Sequence, residues 1–279
     1  MILIADSGST KALWTVIQNN KVLLSISTQG INPYTMDKNQ IESVIANELV
    51  PNLNAETIRN VFYYGAGCSE VDKCQLVSVP LHNYFTNAAI EVQHDLLAAA
   101  RSICGSAPGI ACILGTGSNS CSYDGHTILK NSRALGYILG DEGSGAFMGK
   151  KLLTDYLNED LSPMLSKKLE STYKISPALI LDQVYKQANP NTYLASFAKF
   201  ILENKDQEYF KDLIYSSINK FFTQHIFKYS DYKTMPIHFV GSIAFYFQET
   251  IDEIIKEHSL QKGVVIKDPI EGLIKYHCK

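Results

Sequence analysis

Two short segments have the residue types that bind polyphosphate. Asp6-Ser7-Gly8-Ser9-Thr10-Lys11 comes directly off an apolar run, and hydroxyls with backbone N–H groups in a tight turn can cradle phosphate oxygens while Lys11 adds charge. Asp6, at the strand end, offers a hard oxygen donor that can face magnesium through water. Leu114-Gly115-Thr116-Gly117-Ser118-Asn119 repeats the idea, its glycines permitting close backbone approach and Thr116 and Ser118 supplying donors. Each alone is equally well read as a plain turn. At matching places after two apolar strands, the pair is suited to hold one polyphosphate.

A third group suits a hydroxylated acceptor. In Gly140-Asp141-Glu142-Gly143-Ser144-Gly145 a carboxylate stands beside a glycine-rich helix start, which fits a sugar hydroxyl or a hydrated metal. Asp141 or Ser144 also serves as a helix N-cap. Asp95 sits where a strand gives way to a helix. It reads either as an N-cap or as a carboxylate that orients an acceptor hydroxyl and takes its proton late in phosphoryl transfer. His94 is the competing base and is expected to point away from Asp95. The Asn32-Pro33 pair reads as a turn whose amide can hold a sugar hydroxyl, and the Gly241-Ser242 corner can admit adenine or ribose.

Other chemistries fail on spacing. The nearest approach to a Walker A loop has Ser144 where its first glycine belongs and Lys151 where Ser or Thr must bind magnesium. No GxGxxG follows the first strand, and neither HExxH nor GxSxG occurs. The seven histidines lack metal-ligand spacing.

The elements that must position these residues come twice. Strands are predicted at 2–6, 11–18 and 21–28, with Asn19-Asn20 as a hairpin turn. A helix at 40–49, a strand at 61–64, a helix at 71–85, a strand at 89–92 and a helix at 96–103 capped by Asp95 follow. Near Gly105–Gly109 the pattern restarts with strands at 110–114, 119–123 and 127–129, the last two joined at Asp124-Gly125. Residues 142–229 are mostly helical. A strand at 236–240, an amphipathic helix at 244–257, a strand at 264–266 and a helix at 269–276 complete the chain.

The chain has 279 residues, which favours two domains. Hydrophobic residues at 46% and charged residues at 19% describe a globular protein. The 25 basic and 28 acidic residues leave a net charge of −3, with no basic block to grip nucleic acid or a membrane surface. The apolar opening reaches Asp6 at once, too soon for a signal peptide. No apolar run approaches the ~18 residues of a spanning helix. Six cysteines without a CxxC pair favour a reducing cytoplasm.

Asp6-x-Gly-x-Thr10, Leu114-Gly-Thr-Gly-Ser118 and Val240-Gly-Ser242, in this order, resemble the two phosphate motifs and the adenosine motif of the actin/hexokinase/Hsp70 ATPase superfamily. Gly30-Ile31-Asn32-Pro33, His94-Asp95 and Leu139-Gly-Asp-Glu-Gly-Ser144 narrow the resemblance to the N-acetylglucosamine kinases. That group shares a family with the ATPase activators of benzoyl-CoA reductase and 2-hydroxyacyl-CoA dehydratase. The resemblance implies an α/β fold of two ribonuclease H-like domains around a nucleotide and sugar cleft. Residues 1–106 with 268–279 would form one domain and 107–267 the other. It implies ATP and magnesium as cofactors and a small sugar as acceptor, most simply the 6-hydroxyl of N-acetylglucosamine, with a homodimer an open option. Gly8, Ser9, Thr10 and Lys11 with Gly115, Thr116 and Gly117 would line the phosphate path, and Gly241 and Ser242 the nucleoside. Asn32, Thr116 and Asp141 would bind the sugar together with Asp95, the base, and Asp6 would hold magnesium through water. Ala134-Leu135 stands where the kinase pattern has Gly-Trp, which leaves the contact to the acetamide group unassigned.

Two other readings stay open on the sequence. An activator-type ATPase would need thiolates for an iron–sulfur cluster between two subunits, with Cys104, Cys112 and Cys121 as candidates. A sugar sensor on the same fold would bind without turnover, against which the presence of Asp95 weighs.

Overall fold

In the computed structural model, which describes residues 1–8 and 11–278, the chain opens with β1 (Ile2–Ser7), β2 (Lys11–Gln18) and β3 (Lys21–Gln29). Neighbours pair antiparallel, and Asn19 and Asn20 both take positive φ (51° and 62°), as a two-residue turn matched to strand twist requires. Trp14 of β2 is fully buried, and its indole N–H donates to Thr28 Oγ1 of β3 at 2.9 Å. That bond satisfies the one polar atom of the largest side chain in this core. Ser9 and Thr10 lie outside the described residues.

Helix α1 (Lys38–Val44) starts with a capping box: Asp37 accepts from the Gln40 N–H at 2.9 Å while the Gln40 side chain accepts from the Asp37 N–H at 2.8 Å. The expected single helix over 40–49 instead passes into a π-helical turn, Ile45–Leu49, and a 3-10 turn that holds Pro51. Then come β4 (Asn60–Gly65), α2 (Val71–Tyr84), β5 (Ala89–His94) and α3 (Asp95–Cys104). Strands β4 and β5 run parallel to β1, giving the sheet order β3-β2-β1-β4-β5. Ala98, Ala99 and Ala100 of α3 are buried. Gly272 of the C-terminal helix lies so close to the Ser102 carbonyl of α3 that any side chain at 272 would collide with it.

The second half opens with β6 (Gly109–Leu114), β7 (Ser118–Tyr123) and β8 (Ile128–Ser132). The third strand begins later than its sequence suggests because the Asp124 carboxylate accepts from the N–H groups of His126 and Thr127 at 2.7 and 2.6 Å, lengthening the turn. A short α4 (Gly136–Leu139) precedes α5 (Gly145–Leu157), α6 (Pro163–Tyr173), α7 (Pro177–Tyr185), α8 (Pro190–Ser196), α9 (Ala198–Glu203) and α10 (Glu208–Gln224). Proline opens α6, α7 and α8, where its missing N–H costs nothing. Next are β9 (Ile237–Val240), α11 (Ser242–Tyr246), α12 (Gln248–Glu257), β10 (Lys262–Ile266) and α13 (Ile270–His277). The expected helix over 244–257 is thus two, broken at the buried Phe247.

This sheet has the order β8-β7-β6-β9-β10, with β6–β7 antiparallel and β9 and β10 parallel to β6. It repeats the first sheet strand for strand, the duplication suggested by element order. The chain divides into one unit of Met1–Ala107, Asp124–Ile128 and Asp268–Lys279 and a second of Pro108–Tyr123 and Leu129–Lys267. Among the described residues no helix is long and apolar enough to cross a membrane.

Candidate functional site

In the first unit the carboxyl ends of the parallel strands collect the candidate residues. Asp6 near the end of β1 pairs across to Tyr64 of β4, and Tyr64 to Gln93 of β5, so Asp6 and Asp95 leave the sheet at the same edge. Burial, then the charges of Asp95 and Asp268, push the Asp6 carboxyl up to about 6. Asp268 is missing from the sequence-derived set. A signal for it exists: an aspartate shortly after an apolar strand, as Asp6 and Asp95 also are. Followed by Pro269, it reads as an ordinary turn residue. Mutually repelling carboxylates with hard oxygen donors suit a divalent cation. Among the described residues no group of three His, Cys, Asp or Glu side chains is arranged to hold a metal ion.

Asp95 is not the cap of α3. His94 is, its Nδ1 accepting from the Leu96 N–H at 3.1 Å, because β5 stays paired with β4 through His94 and the next residue is already helical. Asp95 occupies the first helical position with its side chain 40% exposed. The expectation that His94 turns away is also corrected, since its Nδ1 lies 3.6 Å from Asp95 Oδ1. While Nδ1 accepts the Leu96 N–H it has no proton for that carboxylate. Asn32 folds an Asx turn, its Oδ1 accepting from the Tyr34 N–H at 3.0 Å, and Gly67, at φ 83°, leaves room for that oxygen. Lys11 is exposed at the start of β2. Gly8 needs no special space: a Cβ there would make ordinary contact at 3.6 Å.

In the second unit three turns interlock. Within Gly115–Gly117 the Gly115 N–H donates to the Gly117 carbonyl at 3.0 Å. The carbonyls of Gly115 and Thr116 accept from the N–H groups of Gly145 and Ala146 at 2.9 and 3.1 Å, which satisfies the start of α5. Thr116 itself is exposed. Asp141 is buried at φ 60°, and its Oδ1 accepts from the Ser118 N–H at 3.3 Å. A Cβ at Gly117 would stand 3.0 Å from Asp141 Oδ2, so glycine there admits the carboxylate. Burial raises the Asp141 carboxyl, opposed by the Ser118 N–H, while Glu142 raises it and Lys150 and His225 lower it. Between the two cap candidates, Ser144 is the cap of α5, accepting from the Phe147 N–H at 3.1 Å. Gly241, at φ 125°, passes so close to the Leu114 carbonyl that no side chain fits, and Ser242 opens α11 exposed to solvent.

A protein from Porphyromonas gingivalis, provisionally named an N-acetylglucosamine kinase, superposes on this chain with a TM-score of 0.96 and 40% identity, covering 99% of this chain and 98% of its own. The chain belongs to the N-acetylglucosamine kinase family. A Chromobacterium violaceum protein with the same provisional name has a TM-score of 0.71 at 15% identity, covering 99% of this chain and 98% of its own. A Listeria monocytogenes protein provisionally named an N-acetylmannosamine kinase has a TM-score of 0.51 at 12% identity, covering 99% and 97%. These two share the fold. No protein-family profile matches the chain, and no curated protein sequence does.

The fold of this family member is therefore the actin/hexokinase-like one, with two ribonuclease H-like sheets. The cysteines proposed for an iron–sulfur cluster do not suit it. Cys104, Cys112 and Cys121 are all buried within their own units, whereas a cluster shared by two subunits needs thiolates at the surface. At the departure from the kinase pattern, Leu135 is exposed and begins an exposed apolar turn with Ile138 and Leu139.

Proposed function

We propose that this protein is an ATP- and magnesium-dependent sugar kinase of the cytoplasm that phosphorylates the 6-hydroxyl of N-acetylglucosamine. The observation that carries the reading is the near-complete, 40%-identical superposition on the Porphyromonas protein. The doubled sheet, with a Gly-, Ser- and Thr-containing stretch of sequence after the first strand of each copy, supports it.

In this reading Gly8, Ser9, Thr10 and Lys11 line the phosphate path in the first unit, and Gly115, Thr116 and Gly117 do so in the second. Gly241 and Ser242 take the nucleoside. Asp6 would hold magnesium through water, and the bound ion would supply positive charge to offset that of the phosphates. Asn32, Thr116 and Asp141 orient the sugar. As the acceptor oxygen bonds to the γ-phosphorus, the bond from that phosphorus to the bridging oxygen breaks and ADP leaves. The acceptor hydroxyl passes its proton to Asp95. In a loose transition state this transfer comes late, so a weak base that is well placed is enough. Its first-turn position on α3 suits a negatively charged side chain. His94, committed to capping the helix, is not the base.

The test is ADP release with ATP, magnesium and a panel of amino sugars and hexoses, with the phosphorylated carbon identified by NMR. Sugar-dependent ADP release with 6-phosphate product is expected. Release that no sugar stimulates would overturn the reading, and sugar binding by calorimetry without turnover would replace it with a sensor.

A further inference from the structure

The turn that carries Asp141 belongs to a loop held at its neck by the C-terminal end of α10 and the residues just after it. Residues 133–141 leave β8 after Ser132 and return to the chain at Glu142, and most of the loop between is exposed, including Leu135, Ile138 and Leu139. His225, 5% exposed, sits across the neck. Its Nε2 is 3.1 Å from Glu142 Oε2 and its Nδ1 is 2.9 Å from Ser132 Oγ. The carboxylate can only accept, so Nε2 carries a proton, and in the neutral imidazole Nδ1 accepts from the Ser132 hydroxyl. One imidazole thereby joins the residue that enters the loop to the residue that leaves it.

The neighbours of His225 act on the same neck. Phe221, one helical turn earlier, stacks on the His225 ring with centroids 4.9 Å apart. Its Cβ would be 2.9 Å from a Cβ at Gly143, so Gly143, at φ 74°, is what lets the turn seat against α10. Tyr229, four residues after His225, has its hydroxyl 3.0 Å from the Ser132 N–H it accepts and 2.8 Å from Ser120 Oγ. Ser120 is two residues along β7 from Ser118, whose N–H donates to Asp141. Phe221 near the end of α10, His225 just past it and Tyr229 after the 3-10 turn Ile226–Lys228 each fix a different part of the frame around Asp141. Asp141 needs such a frame, because a non-glycine residue at positive φ persists only where its surroundings hold it.

We propose that His225, through Glu142 and Ser132, is a positioning residue that closes the 133–141 loop and holds Asp141 in its acceptor-binding pose. The proposal rests on the kinase reading for what Asp141 binds, but closure of the loop can be tested without it.

The experiment compares wild type with Glu142→Ala, Glu142→Gln and His225→Ala in two measurements. Hydrogen exchange of the substrate-free proteins should show faster exchange across 133–144 in Glu142→Ala and His225→Ala, by about tenfold, with β6 and β9 unchanged. In Glu142→Gln the amide oxygen still accepts from Nε2, and protection should return. Steady-state kinetics should show KM for the sugar raised about tenfold in Glu142→Ala and restored in Glu142→Gln, with a smaller rise in KM for ATP. A role in folding alone would lower the amount of active enzyme and leave both KM values in place. Unchanged exchange in Glu142→Ala, or a KM for ATP raised as much as or more than that for the sugar, would overturn the proposal. If wild type turns over no sugar, the kinase reading fails while the exchange data still decide the loop. If His225→Ala does not fold, the two Glu142 variants decide.

Discussion

Replacing Asp6 by asparagine should stabilise the protein in a pH-dependent way while destroying its chemistry. The Asp6 carboxyl is raised to about 6 from the ordinary 3.8, by burial first and then by Asp95 and Asp268. A carboxyl raised in the folded state binds protons more tightly there than in the unfolded chain. Its favourable contribution is therefore complete below 3.8 and is lost as pH rises through 6. Ionised Asp6 then costs up to about 3 kcal/mol relative to a neutral group, taking about 1.4 kcal/mol for each pH unit between the two values. The uncharged amide of the variant has no such titration. The stability difference between Asp6→Asn and wild type should grow by about 2.5 kcal/mol from pH 4 to pH 8, with about half in place by pH 5. At about 2–4 °C per kcal/mol this is a relative rise in Tm of roughly 5–10 °C. Because the comparison is between pH values, the packing cost of the amide cancels. The assay is calorimetric unfolding of both proteins across that range without magnesium or nucleotide. A Tm difference independent of pH, or one that shrinks as pH rises, would refute the assignment of Asp6 as a carboxylate held under electrostatic strain.

Asp95→Asn should keep sugar and nucleotide binding by calorimetry and lower kcat by roughly 10²–10⁴-fold, the range of general-base catalysis, whereas His94→Gln should mainly cost the α3 cap, about 1 kcal/mol of stability. Normal turnover in Asp95→Asn would exclude it as the base. Gly241→Ala should destabilise by at least about 2 kcal/mol in denaturant unfolding, because φ of 125° and the Leu114 carbonyl both reject a side chain. Burial, then the Arg101 charge, lowers the His277 imidazole to about 4, so its contribution is present above 6.5 and is lost as pH falls towards 4. His277→Phe, which keeps the stack on Phe62, should flatten that acid-side loss, worth at most about 2 kcal/mol after solvent screening, in unfolding followed from pH 7 to 4.

Local chemistry made much of the architecture readable. The Asn19-Asn20 turn and the two three-strand openings depend on residues close in sequence, and the neighbouring of β3, β2 and β1 and of β8, β7 and β6 follows from them. What could not be read was decided by distant partners. Amphipathic spacing runs through Phe247 without a mark, yet the backbone leaves helical geometry there, at φ −109° and ψ 28°. Asp95 looks like a cap because aspartate usually is one, and only the pairing of β5 with β4 through His94 moves the helix start. Asp268 carries no signal beyond its place after a strand, because its effect is on Asp6, at the other end of the chain. His225 carries no signal in the sequence, because its partners come from residues about 80 to 95 positions earlier.

The stitching of the Gly115–Gly117 turn to the start of α5 makes the second unit a thermodynamic coupler. The carbonyls of Gly115 and Thr116 accept from the N–H groups of Gly145 and Ala146, and the Ser118 N–H donates to Asp141, so the turns proposed to take the phosphates and the acceptor are bonded to each other. A ligand that orders one turn has already met part of the entropic cost of ordering the other. If a nucleotide tightens sugar binding by some factor, linkage requires the sugar to tighten nucleotide binding by that same factor. For a kinase this means that the empty enzyme holds ATP more weakly than the sugar-loaded one. Discrimination against water as acceptor would then be exercised at the binding step, before any bond to phosphorus is made.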